Sequence, residues 1–316
     1  MPTPEDVEEA AIVLAKFLTP TPLQRSRALS DATGCDVHLK LETIQPIRTF
    51  KVRGGLYKLS HLSPEARGAG VITASAGNHG LGVAYAAAAF QVGATVYVPV
   101  TANQHKVEAI QRLGANVVPA GANYAEANAA ALRAQFESGA TFVHAYDDTH
   151  VIAGQGTIAL ELLRDLEDID TVLVGIGGGG LIGGIGMYLK ETRPQIKVVG
   201  VEPNGADAMY RSLQAGAIVT LDRVNTIADG LAASAPGLMT FDLARRYVDE
   251  VLLVDEEEML RAIRLLLESE HLLAEPAGAA ALAALMFRYR PAPNERVVVI
   301  LSGANVSSEV LLRALQ

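Results

Sequence analysis

Three segments of this chain repeat one pattern. Gly93-Ala94-Thr95-Val96, Gly114-Ala115-Asn116-Val117 and Gly139-Ala140-Thr141-Phe142 each put a glycine at the end of a helical stretch and start a strand just behind it. Glycine past a helix end takes the left-handed conformation without steric cost. Strands separated by single helices have to cross over, and crossovers lay strands parallel. A parallel sheet is covered on both faces. The expected fold class is therefore α/β, with helices packed on a parallel sheet. Residues from about Ala69 to Asp147 read as a compact unit.

The rest of the chain alternates in the same way. An amphipathic helix from about Glu5 to Phe17 is broken by Thr19-Pro20-Thr21-Pro22. A short helix runs from Leu29 to Gly34, a strand from His38 to Glu42, and a helix from Lys51 to Leu59. Val71-Ile72-Thr73 is a strand, and His79 to Phe90 an alanine-rich helix. Beyond the repeat come a helix (Gly154 to Leu166), a strand (Thr171 to Ile176), a helix (Leu181 to Glu191) and a strand (Lys197 to Glu202). Asp255 and Glu258 have the spacing of a capping box, and their charges read as a solvated first turn. Ala277 to Phe287 is a buried-looking helix, and Arg296 to Leu301 the last strand.

Composition excludes several classes of function. The formal net charge is -9, which argues against binding nucleic acid or an anionic membrane. A single cysteine, Cys35, rules out an internal disulfide and any CxxC site. No signal peptide is visible and no apolar run reaches membrane-spanning length, so a cytoplasmic protein is expected.

Four loops have the residue types that chemistry needs. Thr49-Phe50-Lys51-Val52-Arg53-Gly54-Gly55 puts a lysine beside an aromatic ring and paired glycines. The plain reading is a solvated lysine at a helix start. The alternative is a lysine that forms a Schiff base with a carbonyl cofactor, because partial burial lowers the amine pKa and makes it nucleophilic. Gly177 to Gly180 follows a strand and opens a helix, so bare backbone N–H groups make a phosphate site there. That phosphate fits a nucleotide as well as pyridoxal phosphate. Gly175-Ile176-Gly177-Gly178-Gly179-Gly180 satisfies G-x-G-x-x-G, and Glu202 ends the next strand, where a ribose-binding acid would stand. An NAD-dependent oxidoreductase is thus the rival from another class. Ser75-Ala76-Gly77-Asn78-His79 is a second strand-to-helix anion site, suited to a carboxylate, with Ser75 or Asn78 as a simple helix cap the alternative. Ser302 follows the apolar strand Val297 to Leu301 and reads either as a turn serine or as a hydroxyl facing a ring nitrogen.

In their order and wide spacing these four stretches resemble the fold-type II pyridoxal phosphate enzymes, specifically the threonine/serine dehydratase and serine racemase group. Val151-Ile152-Ala153-Gly154-Gln155-Gly156-Thr157 and Ala274-Glu275-Pro276 are family-like too. The resemblance runs from about Thr21 to Asn305. It implies a tryptophan synthase β-like fold of two parallel-sheet α/β domains with the cofactor between them, a large one of residues 1–68 plus 148–316 and a small one of 69–147. It implies pyridoxal 5'-phosphate as cofactor, with Lys51 as Schiff-base lysine and base at Cα. Phe50 lies beside it, Asn78 bonds the phenolic oxygen, Gly177, Gly178, Gly179, Gly180 and Leu181 cradle the phosphate, and Ser302 bonds the pyridine nitrogen. Ser75, Ala76, Gly77, Asn78 and His79 form the loop for the substrate carboxylate, His79 without a proton-transfer role. The implied reaction is β-elimination from a β-hydroxy amino acid, L-threonine or L-serine first, giving a 2-oxo acid and ammonia. Serine racemisation and hydroxyaspartate dehydration are the alternatives on the same cofactor. A homodimer or larger homo-oligomer is implied.

Departures from the group's pattern narrow this. The racemases have a serine as acid/base where this chain has Ala76, so little racemisation is expected. The group's metal site pairs a glutamate with an aspartate six residues on. Here Glu202 is met by Ala208, with Asp207 out of register, so no metal is expected. A common His-Pro-Phe stretch is His144-Ala145-Tyr146, and Thr49 and Ala304 replace a usual serine and glycine. The sequence stops soon after Asn305, so feedback through a C-terminal regulatory domain is not expected.

Overall fold

A computed structural model describes all 316 residues. Its strands, in chain order, are β1 (Leu23–Ser26), β2 (Asp36–Leu41), β3 (Val71–Ala74), β4 (Ala94–Val98), β5 (Asn116–Pro119), β6 (Thr141–Phe142), β7 (Thr171–Gly175), β8 (Lys197–Pro203), β9 (Glu250–Val254) and β10 (Arg296–Leu301). They form two sheets, one ordered β1-β2-β10-β7-β8-β9 and the other β5-β4-β3-β6. Every neighbouring pair is parallel except β1 with β2. The antiparallel edge strand β1 was not foreseen. Its four residues follow the Thr19 to Pro22 break and have no alternating pattern of their own.

Burial follows from the topology. In β7 and β10 nearly every residue is buried, as a central parallel strand with helices on both faces requires. The Pro276–Phe287 helix packs on both strands, and its small side chains let it lie close to them. Gly34 and Gly139 end helices in the left-handed conformation as the sequence suggests, whereas the Asn78–Phe90 helix ends on Gln91 at φ 56, ahead of the expected Gly93. The Thr149–Asp165 helix starts five residues before the expected Gly154, because Asp148 accepts from the N–H groups of His150 and Val151.

The Lys51–Ser60 helix sits between the Asn78–Phe90 and Thr149–Asp165 helices. Glycines make both contacts possible. A Cβ on Gly55 would lie 2.7 Å from the Gly82 carbonyl oxygen, and one on Gly154 would lie 2.8 Å from the Gly54 Cα. Val52, Leu56 and Leu59 join the core of the smaller sheet, while Tyr57 joins a core of the larger.

Beneath this helix is a buried ionic network. Arg53 Nη2 lies 2.7 Å from Glu42 Oε1, and Arg53 Nη1 lies 2.6 Å from Glu161 Oε1. Lys40 Nζ is 2.6 Å from Glu161 Oε2, and Thr21 donates to Glu42 at 2.6 Å. Two cations face two anions, so the network is neutral. It ties β2 and the turn after it to the lysine helix and to the Thr149–Asp165 helix.

Candidate active site

The loops after β3, β7 and β10 and the start of the lysine helix meet in one cleft. Phe50, Lys51, Asn78, Gly177, Gly178, Gly179, Gly180, Leu181 and Ser302 all line it. These are strand C-terminal ends, where open α/β sheets gather ligands. The lysine stretch is stitched to the β10 loop. Thr49 bridges Gly303, and Phe50 N–H donates to the Ser302 carbonyl at 3.1 Å.

Lys51 is half-buried at the first turn of its helix. Its Nζ donates to the Ala145 carbonyl at 2.8 Å and stands 5.1 Å from the centre of the Phe50 ring. Burial pushes the amine down to about 8, and no carboxylate opposes the shift. About a tenth of it is therefore the free, nucleophilic base at pH 7. Uptake of a carbonyl cofactor by the stripped protein should thus rise about tenfold per pH unit below pH 8 and level off above it. Stopped-flow absorbance across pH 6 to 10 would check this, and a flat profile would contradict the assigned proton.

The tetraglycine loop lies against the His144 to Asp147 segment. A Cβ on Gly178 would overlap the Tyr146 ring, and one on Gly180 would lie 2.9 Å from the Tyr146 Cα. Gly179 has φ +93, and no side chain caps the Gly180–Thr192 helix that follows. Thr240 Oγ1 donates to the Gly178 carbonyl at 2.7 Å, which takes up that oxygen and leaves N–H groups as the loop's free polarity. This is an anion cradle with no room for side chains. Gly180→Ala should lower cofactor affinity at least about tenfold, because the opposing atoms are backbone. Titration of pyridoxal phosphate into stripped protein would measure it, and unchanged affinity would refute the cradle.

The Ser75 loop leaves its helix open. Gly77 is the N-cap of the Asn78–Phe90 helix and has no side chain to cap it, while Ser75 Oγ accepts from Gly77 N–H at 3.2 Å. Neither Ser75 nor Asn78 therefore caps the helix. Ser75, Ala76, Gly77 and Asn78 are half-buried. His79 is different and corrects the loop reading: its ring is buried, with Nε2 2.9 Å from the Val143 carbonyl, and burial pushes it down to about 3. Helical geometry turns this side chain into the core, so it does not serve the loop's mouth. Ser302 is buried at the cleft wall, its hydroxyl 3.4 Å from the Ala277 carbonyl, a long contact that leaves it able to turn to a ligand.

Glu202 does not do the ribose-binding job suggested by its position. It is fully buried and accepts from the N–H groups of Met209 at 2.9 Å and Tyr210 at 2.7 Å. It serves the N-terminus of the Ala208–Ala215 helix, so it cannot reach a ribose. Asp207 turns to Arg211 at 2.9 Å.

Residues 14–303 match the family described as pyridoxal-phosphate dependent enzyme. The chain belongs to this family. It is 42% identical over 313 residues to the L-threonine ammonia-lyase of Thermotoga maritima, covering 99% of this chain and 78% of that one. It is 45% identical over 305 residues to the L-threonine ammonia-lyase of Geobacter sulfurreducens, covering 96% of this chain and 76% of that one. The structure of maize serine racemase superposes with a TM-score of 0.95 at 33% identity, covering 99% of this chain and 97% of that one. The two-sheet architecture is that of the fold-type II members, and the cofactor is pyridoxal phosphate.

The cleft of this pyridoxal-phosphate dependent enzyme fits that group. It offers a glycine cradle for a phosphate and an amine without an ionic partner for an aldehyde. The dinucleotide reading loses its acid with Glu202. Tyr146, Gly175, Gly230, Leu231, Glu275 and Ala277 also line the cleft, and the sequence reading gave none of them a role. A signal for Glu275 existed: an acid directly before Pro276, at a helix start, on an otherwise apolar segment. Tyr146 gave none beyond its place in the altered His144-Ala145-Tyr146 stretch.

Proposed function

We propose that this enzyme is an ammonia-lyase for a β-hydroxy amino acid, L-threonine or L-serine, and releases a 2-oxo acid and ammonia. The observation that carries this is Lys51, an amine without an ionic partner in a cleft that the tetraglycine loop also lines. The identity to two L-threonine ammonia-lyases supports the choice of substrate.

When bound, pyridoxal phosphate supplies an aldehyde for the substrate amine and a conjugated ring that withdraws electrons from Cα. The chain supplies the rest. Lys51 holds the cofactor and, once displaced, takes the proton from Cα as a free amine. Gly177, Gly178, Gly179, Gly180 and Leu181 hold the phosphate, and Asn78 donates to the phenolic oxygen. Ser302 would hold the pyridine nitrogen with a neutral hydroxyl. It does not fix a proton there, which weakens electron withdrawal and favours prompt loss of the β-hydroxyl. The open helix start at Ser75, Ala76, Gly77 and Asn78 binds the substrate carboxylate through N–H groups. The net change removes water across Cα–Cβ, then exchanges the amine for oxygen from a second water.

Ala76 has only a methyl group where a racemase needs a second acid/base, so dehydration outruns racemisation. A panel of L-threonine, L-serine, D-serine and hydroxyaspartate, assayed for 2-oxo acid with and without magnesium, tests the proposal. Fast metal-independent release from L-threonine or L-serine is expected. Silence on both, or D-serine formation at a matching rate, would overturn it.

We further propose a large domain of residues 1–68 with 148–316 and a small one of 69–147. The lysine helix packs on both. A homodimer or larger assembly is proposed, which sedimentation would test. No helix is long and apolar enough to cross a membrane, and a cytoplasmic location is the proposed reading.

A further inference from the structure

Asn78 stands in a short chain of side chains that reaches beyond the cleft. Its Nδ2 donates to Glu275 Oε1 at 2.6 Å. Its Oδ1 accepts from Asn305 Nδ2 at 2.7 Å, and that same Nδ2 donates to the Ile47 carbonyl at 3.0 Å. The direction of this chain is fixed at both ends. A backbone carbonyl only accepts, so Asn305 must turn its NH₂ group toward Ile47. The same NH₂ reaches Asn78, which must answer with its oxygen. At the far end an ionised Glu275 only accepts, so Asn78 offers it an N–H, in the sense that the Asn305 end already requires. Rotating the Asn78 amide by half a turn would set NH₂ against the Asn305 NH₂ and, with Glu275 ionised, oxygen against oxygen at the other end.

Glu275 has little freedom to move. It is 8% exposed, directly precedes Pro276, and lies so close to Gly303 that a Cβ there would be 2.5 Å from Oε1. Burial pushes its carboxyl up to about 7, against the hydrogen bond from Asn78, while Lys106 and Asp229 act on it in opposite senses.

We propose that Glu275 and Asn305 are positioning residues that lock the Asn78 amide so that its second N–H, and not its carbonyl oxygen, faces the phenolic oxygen of the cofactor. This rests on the assignment of Asn78 to that oxygen and explains why an acid belongs in a cleft that binds an anion. A carboxylate near a phosphate is unfavourable by charge alone. Here it is held on the far side of an amide, where it polarises the donor that the phenolic oxygen uses.

The bound cofactor reports on this bond without turnover. Its Schiff base absorbs in the visible when the phenolic oxygen is ionised and receives an N–H, and in the near ultraviolet when that oxygen carries the proton. Glu275→Ala should move absorbance from the visible to the near-ultraviolet band and lower kcat about ten- to hundredfold. Glu275→Gln, whose amide oxygen still accepts from Asn78, should restore most of the visible band. Asn305→Asp reads the same amide from its other end: a carboxylate there cannot donate to Oδ1 and draws the Asn78 NH₂ toward itself. It should shift the spectrum as Glu275→Ala does, and it serves if Glu275→Ala fails to fold. An unchanged spectrum in Glu275→Ala or Asn305→Asp, with Lys51 still labelled by borohydride, overturns the inference and leaves the cofactor site standing. Equal damage from Glu275→Gln and Glu275→Ala also overturns it. Wild-type protein with no reducible visible band overturns both.

Discussion

Lys51→Ala is expected to abolish turnover, lowering the rate about 10³-fold or more, since it removes both the covalent anchor of the cofactor and the base at Cα. The protein should lose the visible absorbance that borohydride bleaches. Folding should not suffer. Lys51 is a half-buried amine that burial already pushes down to about 8, so alanine removes an unfavourable group. The melting temperature of the stripped variant should match or exceed that of stripped wild type. The sign with pH follows from the lowered value. Between about pH 8 and the ordinary lysine range the unfolded chain binds more protons than the folded one, so wild-type stability rises with pH there, and the variant should lack that rise. Added small primary amines should recover part of the activity. Retention of turnover above a few per cent, or a label elsewhere after reduction, would remove Lys51 from its role.

Arg53→Ala is expected to cost about 3–5 kcal/mol of stability, because it leaves two buried carboxylates facing one lysine. Glu42 is fully buried and accepts from Arg53 Nε at 2.8 Å, while Glu161 accepts from Arg53 Nη1 at 2.6 Å. In the intact network the arginine overcomes desolvation and holds the Glu42 carboxyl below its ordinary range. That stabilisation is present above the ordinary carboxylate range and fades as pH falls through the lowered value. Without Arg53 the same carboxyl holds its proton more tightly, so the gap between variant and wild type should narrow in acid. Urea unfolding at two pH values measures both effects. A loss under about 1 kcal/mol would mean that water reaches the network and screens it. The paired change Arg53→Met with Glu42→Gln should cost less than Arg53→Ala alone, since it strands no charge.

Much of this molecule is legible in its residues because glycine marks it so often. Gly139 ends its helix where the sequence says, and the apolar run Val297 to Leu301 is the core of β10. The loops after β3, β7 and β10 are visible for the same reason: each is a run of small residues directly after a strand. What stays hidden depends on partners far along the chain. Arg53 looks like a solvated helix residue until folding brings Glu161 to it from 108 positions away. Nothing in the sequence ties the packed His79 ring to Val143, 64 positions away, until the helix turns it there. The five extra residues of the Thr149–Asp165 helix depend on one cap, Asp148, in a stretch with no apolar period. Glu275 is hidden by its chemistry. An acid in a phosphate-binding cleft makes sense only once Asn78 lies between it and the ligand.

The glycine seats on either side of the lysine helix also limit how this enzyme can diversify. Gly54, Gly55, Gly82 and Gly154 admit no side chain, and all four are opposed by backbone that cannot step aside. A library randomised at these positions should return almost only glycine, whatever substrate is selected for. Changes in substrate preference must therefore enter through the His144 to Asp147 segment and the Ser75 loop, whose residues are only partly covered. The lysine helix is thus held in place by backbone on both sides, while the cleft around it is free to vary.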